Sequence, residues 1–225
     1  MTSLNLCQAV IFDMDGLMLD TEIIARQAFH DAAKELGLSI PAEIYNQMIG
    51  KNAKSSRELL FDNYGPEFPY DQLHETMSRN EETHIKEHGI STKPGLLDLL
   101  DLLDQYSLPK AVGTSTRKEI ALKRLQTAQI RDRFDQMAFG DEVTHGKPAP
   151  DLFLKAAHRL NQLPENCLIL EDSEPGIKAG SAAGMIPIMI PDLIKPSPGT
   201  RDLAYKVVNS LQVVFELLKP ILENR

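Results

Sequence analysis

An α/β fold on a parallel sheet, with an all-helical segment inserted after the first strand, is predicted by three features of the chain. From about residue 89 onward, short apolar runs alternate with amphipathic stretches, the pattern of βαβ units. The run 9–12, Ala-Val-Ile-Phe, is wholly apolar and ends abruptly in Asp13-Met14-Asp15-Gly16, as a strand buried on both faces and ending in a polar tip would. Between residues 20 and 88 only helical spacing occurs, with no strand-like alternation.

The elements follow in order. A connector at 17–19 leads to a helix over about 20–36, with Asp20 or Thr21 as candidate N-cap and Gly37 closing it. Ile24, Ala28 and Ala32 share one face of it, as do Ala25 and Phe29. Helices over about 41–48, 55–63 and 70–88 are separated by Gly50, Gly65 and Pro66. Then helices at 94–106, 117–126, 150–160 and 175–183 alternate with strands at 110–114, 136–139, 167–170 and 186–190. A proline-rich loop at 191–200, a short strand near 206–208 and a helix from Leu211 complete the pattern. The expected architecture is a Rossmann-like core over 1–18 and 89–225, with helices on both faces of its sheet. A helical cap over 19–88 leaves directly after the two aspartates, where a lid could exclude water.

Composition narrows the partners. Net charge is 24 − 32 = −8, which opposes non-specific binding to nucleic acid or anionic membrane. An anionic substrate must therefore be held by a local cation. Cys7 and Cys167 lie in or beside apolar runs and read as small core residues, since two cysteines make neither a disulfide framework nor a zinc site. No apolar run approaches the ~18 residues of a membrane span, and the N-terminus lacks a basic stretch before its apolar run. A monomer in the reducing cytoplasm, acting on a small phosphorylated metabolite, is the expected setting.

The strand ends carry the chemistry. Two carboxylates as close in sequence as Asp13 and Asp15 repel and need a cation or a shared proton. The strand at 110–114 ends in Thr114-Ser115-Thr116, hydroxyls and N–H groups at the start of a helix, which can cap that helix, hold an anion, or both. Lys147, between Gly146 and Pro148, has little backbone freedom and offers a point charge for phosphate. The strand at 167–170 ends in Glu171-Asp172-Ser173, and hard oxygen ligands from two strand tips suit Mg²⁺. Acid pair, hydroxyl, lysine, acid pair together make a site for a phosphate dianion.

These motifs, in this order and spacing and with Asp20-Thr21-Glu22 and Ala182-Ala183-Gly184, resemble the haloacid dehalogenase-like superfamily. The branch is the one with a small helical cap, which holds phosphatases and β-phosphoglucomutase-like enzymes. The resemblance implies a phosphoric monoester hydrolase with Asp13 as nucleophile and Asp15 as acid/base, working through an aspartyl-phosphate. It implies Thr114, Ser115 and Lys147 as phosphate-binding residues. Mg²⁺ would be held by Asp13, the carbonyl of Asp15 and Asp172, with Glu171 acting through water. Glu22, Gly50 and Lys51 would reach the substrate. Within the branch, Met14-Asp15-Gly16-Leu17, Gly50-Lys51, His145-Gly146-Lys147-Pro148 and Val208-Asn209-Ser210-Leu211 resemble most the pseudouridine-5′-phosphatase-like and sugar-phosphate phosphatases.

Other readings have weaker support. A sugar phosphomutase of this branch carries a histidine three residues beyond the matched Glu22 and an arginine after the cap glycine; here Ala25, and Asn52 and Ala53 near Gly50, stand in those places. A dehalogenase has no need of Asp15 to protonate a leaving group. An EF-hand fails at Leu17, Met18 and Ile24. Gly176, Gly180 and Gly184, spaced by four, suggest close helix packing and not a dinucleotide fingerprint. His84 and His88 read as a solvated face, and Lys54 and Arg57 as surface charge. A domain that binds phosphorylated ligands without turnover would lack one of the essential groups, and none is missing.

Overall fold

The computed structural model of the protein describes residues 4–49 and 53–224. Two compact units are present, one of Met1–Asp20 with Ile90–Arg225 and one of Thr21–Gly89.

The first unit is a parallel sheet of six strands in the order β3-β2-β1-β4-β5-β6. Its strands are β1 (Ala9–Phe12), β2 (Lys110–Thr114), β3 (Gln136–Phe139), β4 (Cys167–Glu171), β5 (Ile186–Met189) and β6 (Lys206–Val207). All four residues of β1 are fully buried, which is why the strand reads as an unbroken apolar run. Alternate side chains go to opposite faces. Val10, Phe12, Val112, Leu168 and Leu170 pack with α5 (Leu96–Gln105), α6 (Lys118–Thr127) and α10 (Leu211–Glu223). Ala9, Ile11, Ala111, Cys167 and Ile169 pack with α7 (Asp151–Arg159) and α8 (Glu174–Ala182). Phe12 meets Phe134 edge-on, with centroids 5.6 Å apart. Truncating Phe12 to alanine would cost about 3–5 kcal/mol, as for other buried aromatic rings.

The strand order positions the site. The chain leaves β1 for β2 and β3 on one side, then returns to β4, β5 and β6 on the other. Ligands of open α/β sheets bind at the carboxyl ends of strands beside such a reversal. Phe12 is in register with Val112 of β2 and Leu170 of β4, so the tips of three strands distant in sequence end side by side.

The second unit holds α1 (Thr21–Glu35), α2 (Ala42–Met48), α3 (Ala53–Tyr64) and α4 (Tyr70–His88). It has its own core of Phe29, Ala32, Ala33, Tyr45, Leu60, Tyr70 and Leu73. Arg57 pairs with Asp71 at 3.2 Å and lies over the rings of Phe61 and Tyr70, so it belongs to the packing of this unit. The strands that join the two units run together, with Asp20 N–H donating to the Ser91 carbonyl at 3.0 Å and Leu19 bridged to Thr92.

Two sequence expectations are corrected. The proline-rich stretch is not all loop, because α9 (Pro198–Leu203) forms there, its N-cap Ser197 accepting from the Thr200 N–H. Serine followed by proline is a helix-start signal that the proline count obscured. Asp20, directly before α1, pairs with Lys93 at 2.8 Å, and among the described residues the buried Thr21 hydroxyl has no hydrogen-bond partner. Gly184 does not serve packing; it takes φ +74° just past α8 with no atom near its missing Cβ, a left-handed helix end. Gly180 does lie close to a strand, against Ile169. Cys7 and Cys167 are buried and neither is in a disulfide. Among the described residues no helix is long and apolar enough to cross a membrane.

Candidate active site

Asp13 is the first residue beyond β1, held by its N–H on the Leu170 carbonyl at 3.0 Å. This bond sets the Asp13 carboxylate, only 6% exposed, level with the end of β4. Glu171, the last residue of β4, has no exposed surface. Its Oε2 accepts from the Ser173 N–H at 2.7 Å and the Ser173 hydroxyl at 2.8 Å. Ser173 in turn caps α8, its Oγ accepting from the Gly176 N–H at 3.2 Å. A side chain at position 176 would occupy the space of the Glu171 carboxylate, so the glycine there is fixed by close approach.

Lys147 joins the two strand tips. Its Nζ donates to Asp13 Oδ1 and, at 2.5 Å, to Glu171 Oε1, and lies 4.8 Å from the centre of the Phe153 ring. Asp13, Glu171 and Asp172 each offer one oxygen within 4.8 Å of the others. Burial pushes the Asp13 carboxyl well above the usual carboxylate range; Lys147 pulls it down, while Glu171 and Asp15 push it further up. Burial works against the Lys147 ammonium too, yet Asp13 and Glu171 raise it above the ordinary lysine value. Three carboxyl groups against one ammonium leave an excess of negative charge in a buried place. An all-oxygen donor set with that excess fits a divalent cation.

Asp15 takes a different position. Its Oδ1 accepts from Arg124 at 2.6 Å and its Oδ2 from the Thr116 hydroxyl at 2.7 Å. The acidic cluster therefore includes the Glu171 side chain itself and not the carboxylate of Asp15. Thr114 is buried, and its hydroxyl accepts from the Thr116 N–H at 3.1 Å. Ser115 is exposed, and its carbonyl lies where a side chain on Gly140 would have to go. The helix that follows is capped by neither hydroxyl: its N-cap is Arg117, with no side-chain bond. Glu22 lies in α1 of the helical unit, and Gly50 and Lys51 fall outside the described residues.

With the site assembled, its relatives can be compared. The haloacid dehalogenase-like hydrolase family matches residues 10–190. The chain belongs to that family. A phosphorylated carbohydrates phosphatase of Thermotoga maritima is 31% identical over 180 residues, 79% of this chain and 82% of its own length. A Drosophila melanogaster protein named "probable pseudouridine-5′-phosphatase" is 33% identical over 188 residues, 81% of this chain and 80% of its own. The crystal structure of CbbY from Rhodobacter sphaeroides in complex with phosphate superposes with a TM-score of 0.75 at 26% identity, covering 92% of this chain and 95% of that one. A β-phosphoglucomutase from Clostridium difficile gives 0.76 at 25% identity, covering 97% and 98%. These two relatives, and a fructose-1-phosphate phosphatase of Escherichia coli that is 32% identical over 178 residues, are named phosphatases, which supports a phosphoric monoester hydrolase.

Sequence reasoning missed Arg124. It lies in mid-helix, ten residues beyond Thr114, and no motif spacing marks it. Thr116 stood within the Thr114-Ser115-Thr116 motif without a role of its own. Gly176 was visible as a glycine, but its use depends on where Glu171 points.

Proposed function

We propose that the protein is a Mg²⁺-dependent phosphatase that hydrolyses a small phosphate monoester, a sugar phosphate or a nucleoside monophosphate such as pseudouridine 5′-phosphate. The observation that carries this reading is the meeting of Asp13, Lys147, Glu171 and Asp172 at the tips of β1 and β4. Asp13 is the nucleophile: a carboxylate oxygen attacks phosphorus, the bond to the leaving oxygen breaks, and an aspartyl-phosphate forms. Asp15 gives a proton to the leaving oxygen, then takes one from the water that attacks the aspartyl-phosphate, releasing inorganic phosphate and restoring Asp13.

Asp13, Asp172 and the Asp15 carbonyl are the proposed metal ligands, with Glu171 beside them. Bound there, the cation would offset the repulsion between the Asp13 carboxylate and a phosphate dianion. Lys147 serves the same end from the protein side. Two of its hydrogens go to Asp13 and Glu171, and a third is the one a phosphate oxygen would take. Thr114 and Ser115 line the phosphate from β2, and Glu22, Gly50 and Lys51 are the proposed contacts from the helical insert.

A monomer in the cytoplasm, acting on a metabolite and not on nucleic acid or membrane, completes the reading. A net charge of −8 and two buried cysteines without a disulfide support it. The likeness to a β-phosphoglucomutase favours one second reading, a sugar phosphomutase.

The test is inorganic phosphate release with Mg²⁺ from pseudouridine 5′-phosphate, phosphoglycolate and hexose phosphates, with Asp13→Asn as control. Turnover of at least one substrate by the native protein and none by the variant is expected. No turnover of any, with metal bound, would leave a phospho-ligand-binding domain. Glucose 6-phosphate appearing from β-glucose 1-phosphate would point to the mutase.

A further inference from the structure

Both oxygens of the Asp15 carboxylate are held by side chains of the segment that follows β2. Arg124 Nη1 donates to Oδ1 at 2.6 Å and the Thr116 hydroxyl to Oδ2 at 2.7 Å. Each arm stands on a fixed base. Thr116 is tied by its N–H to the Thr114 hydroxyl at 3.1 Å and by its carbonyl to the Gly140 N–H at 3.2 Å. Arg124 is next to Leu125, which with Ala121 anchors α6 in the core. The Arg124 side chain is 14% exposed and that of Asp15 23%, so this pair is shielded from water. Another ion pair of α6, Lys123 with Glu119, is 60% and 83% exposed, the kind worth little to stability.

We infer that Arg124 is a positioning residue for the reaction: together with Thr116 it fixes the orientation of the Asp15 side chain, which as the carboxylic acid passes its proton to the leaving oxygen and as the carboxylate takes one from the attacking water. The inference rests on Asp15 as acid/base in the reading above. The physical reason is that Asp15 lies beyond the end of β1, bridged by its backbone to Leu19, and an aspartate side chain has three staggered χ1 wells to choose from. Two donors at fixed points select one of them. Proton transfer in the transition state falls off steeply when the donor is out of line, and misplacement by an ångström can cost about 100-fold.

The test compares a substrate that needs a proton on its leaving group with one that does not. Glucose 6-phosphate leaves as an alkoxide unless protonated, whereas p-nitrophenyl phosphate leaves as a stable anion. Arg124→Met and Thr116→Val are expected to lower kcat on glucose 6-phosphate about 10- to 100-fold with KM within about threefold of the native value. The first burst of p-nitrophenolate, which records formation of the aspartyl-phosphate, should keep its rate within about threefold, since no proton is required there. Arg124→Lys should recover part of the lost kcat, and it also serves if Arg124→Met fails to fold.

A fall in the p-nitrophenolate burst rate as large as the fall in kcat on glucose 6-phosphate, or an unchanged kcat on glucose 6-phosphate, would overturn the positioning role. The reading beneath it is checked separately by Asp13→Asn. A burst that survives in that variant would remove the nucleophile assignment, whatever Arg124 does.

Discussion

The carboxylate of Asp172 lies against the α-carbon of Gly16, in the space that any side chain at position 16 would need. Gly16 also adopts φ +81°, a conformation that disfavours every residue with a Cβ. Two independent constraints thus fall on one glycine, one from the turn and one from the site.

Gly16→Ala is therefore expected to lower stability by about 1–2 kcal/mol from backbone strain alone. It should also push Asp172 away from Asp13 and Glu171 and raise the Mg²⁺ concentration needed for half-maximal activity. Thermal unfolding and a metal titration of activity measure the two effects. An unchanged metal requirement would mean that Asp172 can shift without loss.

The Lys147 ammonium pairs with Asp13 and Glu171, two of the three carboxyl groups in the cluster, and its side chain is buried. Removing one partner of a buried pair leaves the other charge without compensation, typically costing about 3–5 kcal/mol. Lys147→Met should lose stability on that scale in metal-free protein. Added Mg²⁺ should recover more of it than it adds to the native protein. Urea unfolding with and without Mg²⁺ is the measurement, and an unchanged metal-free stability would rule out charge compensation as the role of Lys147.

Removal of divalent metal with EDTA should abolish phosphate release, and Mg²⁺ should restore it better than Ca²⁺. Asp13, Glu171 and Asp172 offer three oxygens within 4.8 Å of one another, and the proposed Mg²⁺ takes few carboxylates and keeps several waters, whereas Ca²⁺ asks for a larger oxygen shell. Full activity in EDTA would refute the requirement.

Glu142 supports the segment between β3 and α7 that carries Lys147. Its carboxylate accepts from Arg159 at 2.6 Å and from the Phe139 N–H at 3.2 Å. The Arg159 hydrogen bond, against a smaller burial effect, holds the Glu142 carboxyl below the usual carboxylate range. A carboxyl whose value is lower folded than unfolded adds stability above the unfolded value and loses it as pH falls through the folded one. Glu142→Gln should therefore unfold at lower urea than the native protein at neutral pH, and the difference should narrow below about pH 4. A gap that persists unchanged into acid would mean the ionised form contributes nothing.

Much of this molecule can be read locally. The strand at 9–12 is an apolar run because both its faces are covered, and the helices of the insert show their spacing in sequence for the same reason of burial. The candidate site was legible where it sits at strand ends, because a polar residue that closes an apolar run stands out. Lys147 stood out by its place between Gly146 and Pro148. The helix over Pro198–Leu203 was hidden because prolines mark loops and helix starts alike.

From its sequence alone, then, this protein's strand and helix periods, its insert and the residues at its strand tips were determined, since each depends on neighbours a few positions away. Which tips meet was decided only by the folded sheet, in which β1 lies between β2 and β4. The clamp of Arg124 and Thr116 on Asp15, and the glycines at 16 and 176 that admit Asp172 and Glu171, follow from that arrangement. The reason is physical: such contacts depend on strand order, register and side-chain direction, and these belong to pairs of segments distant in the chain and not to either one.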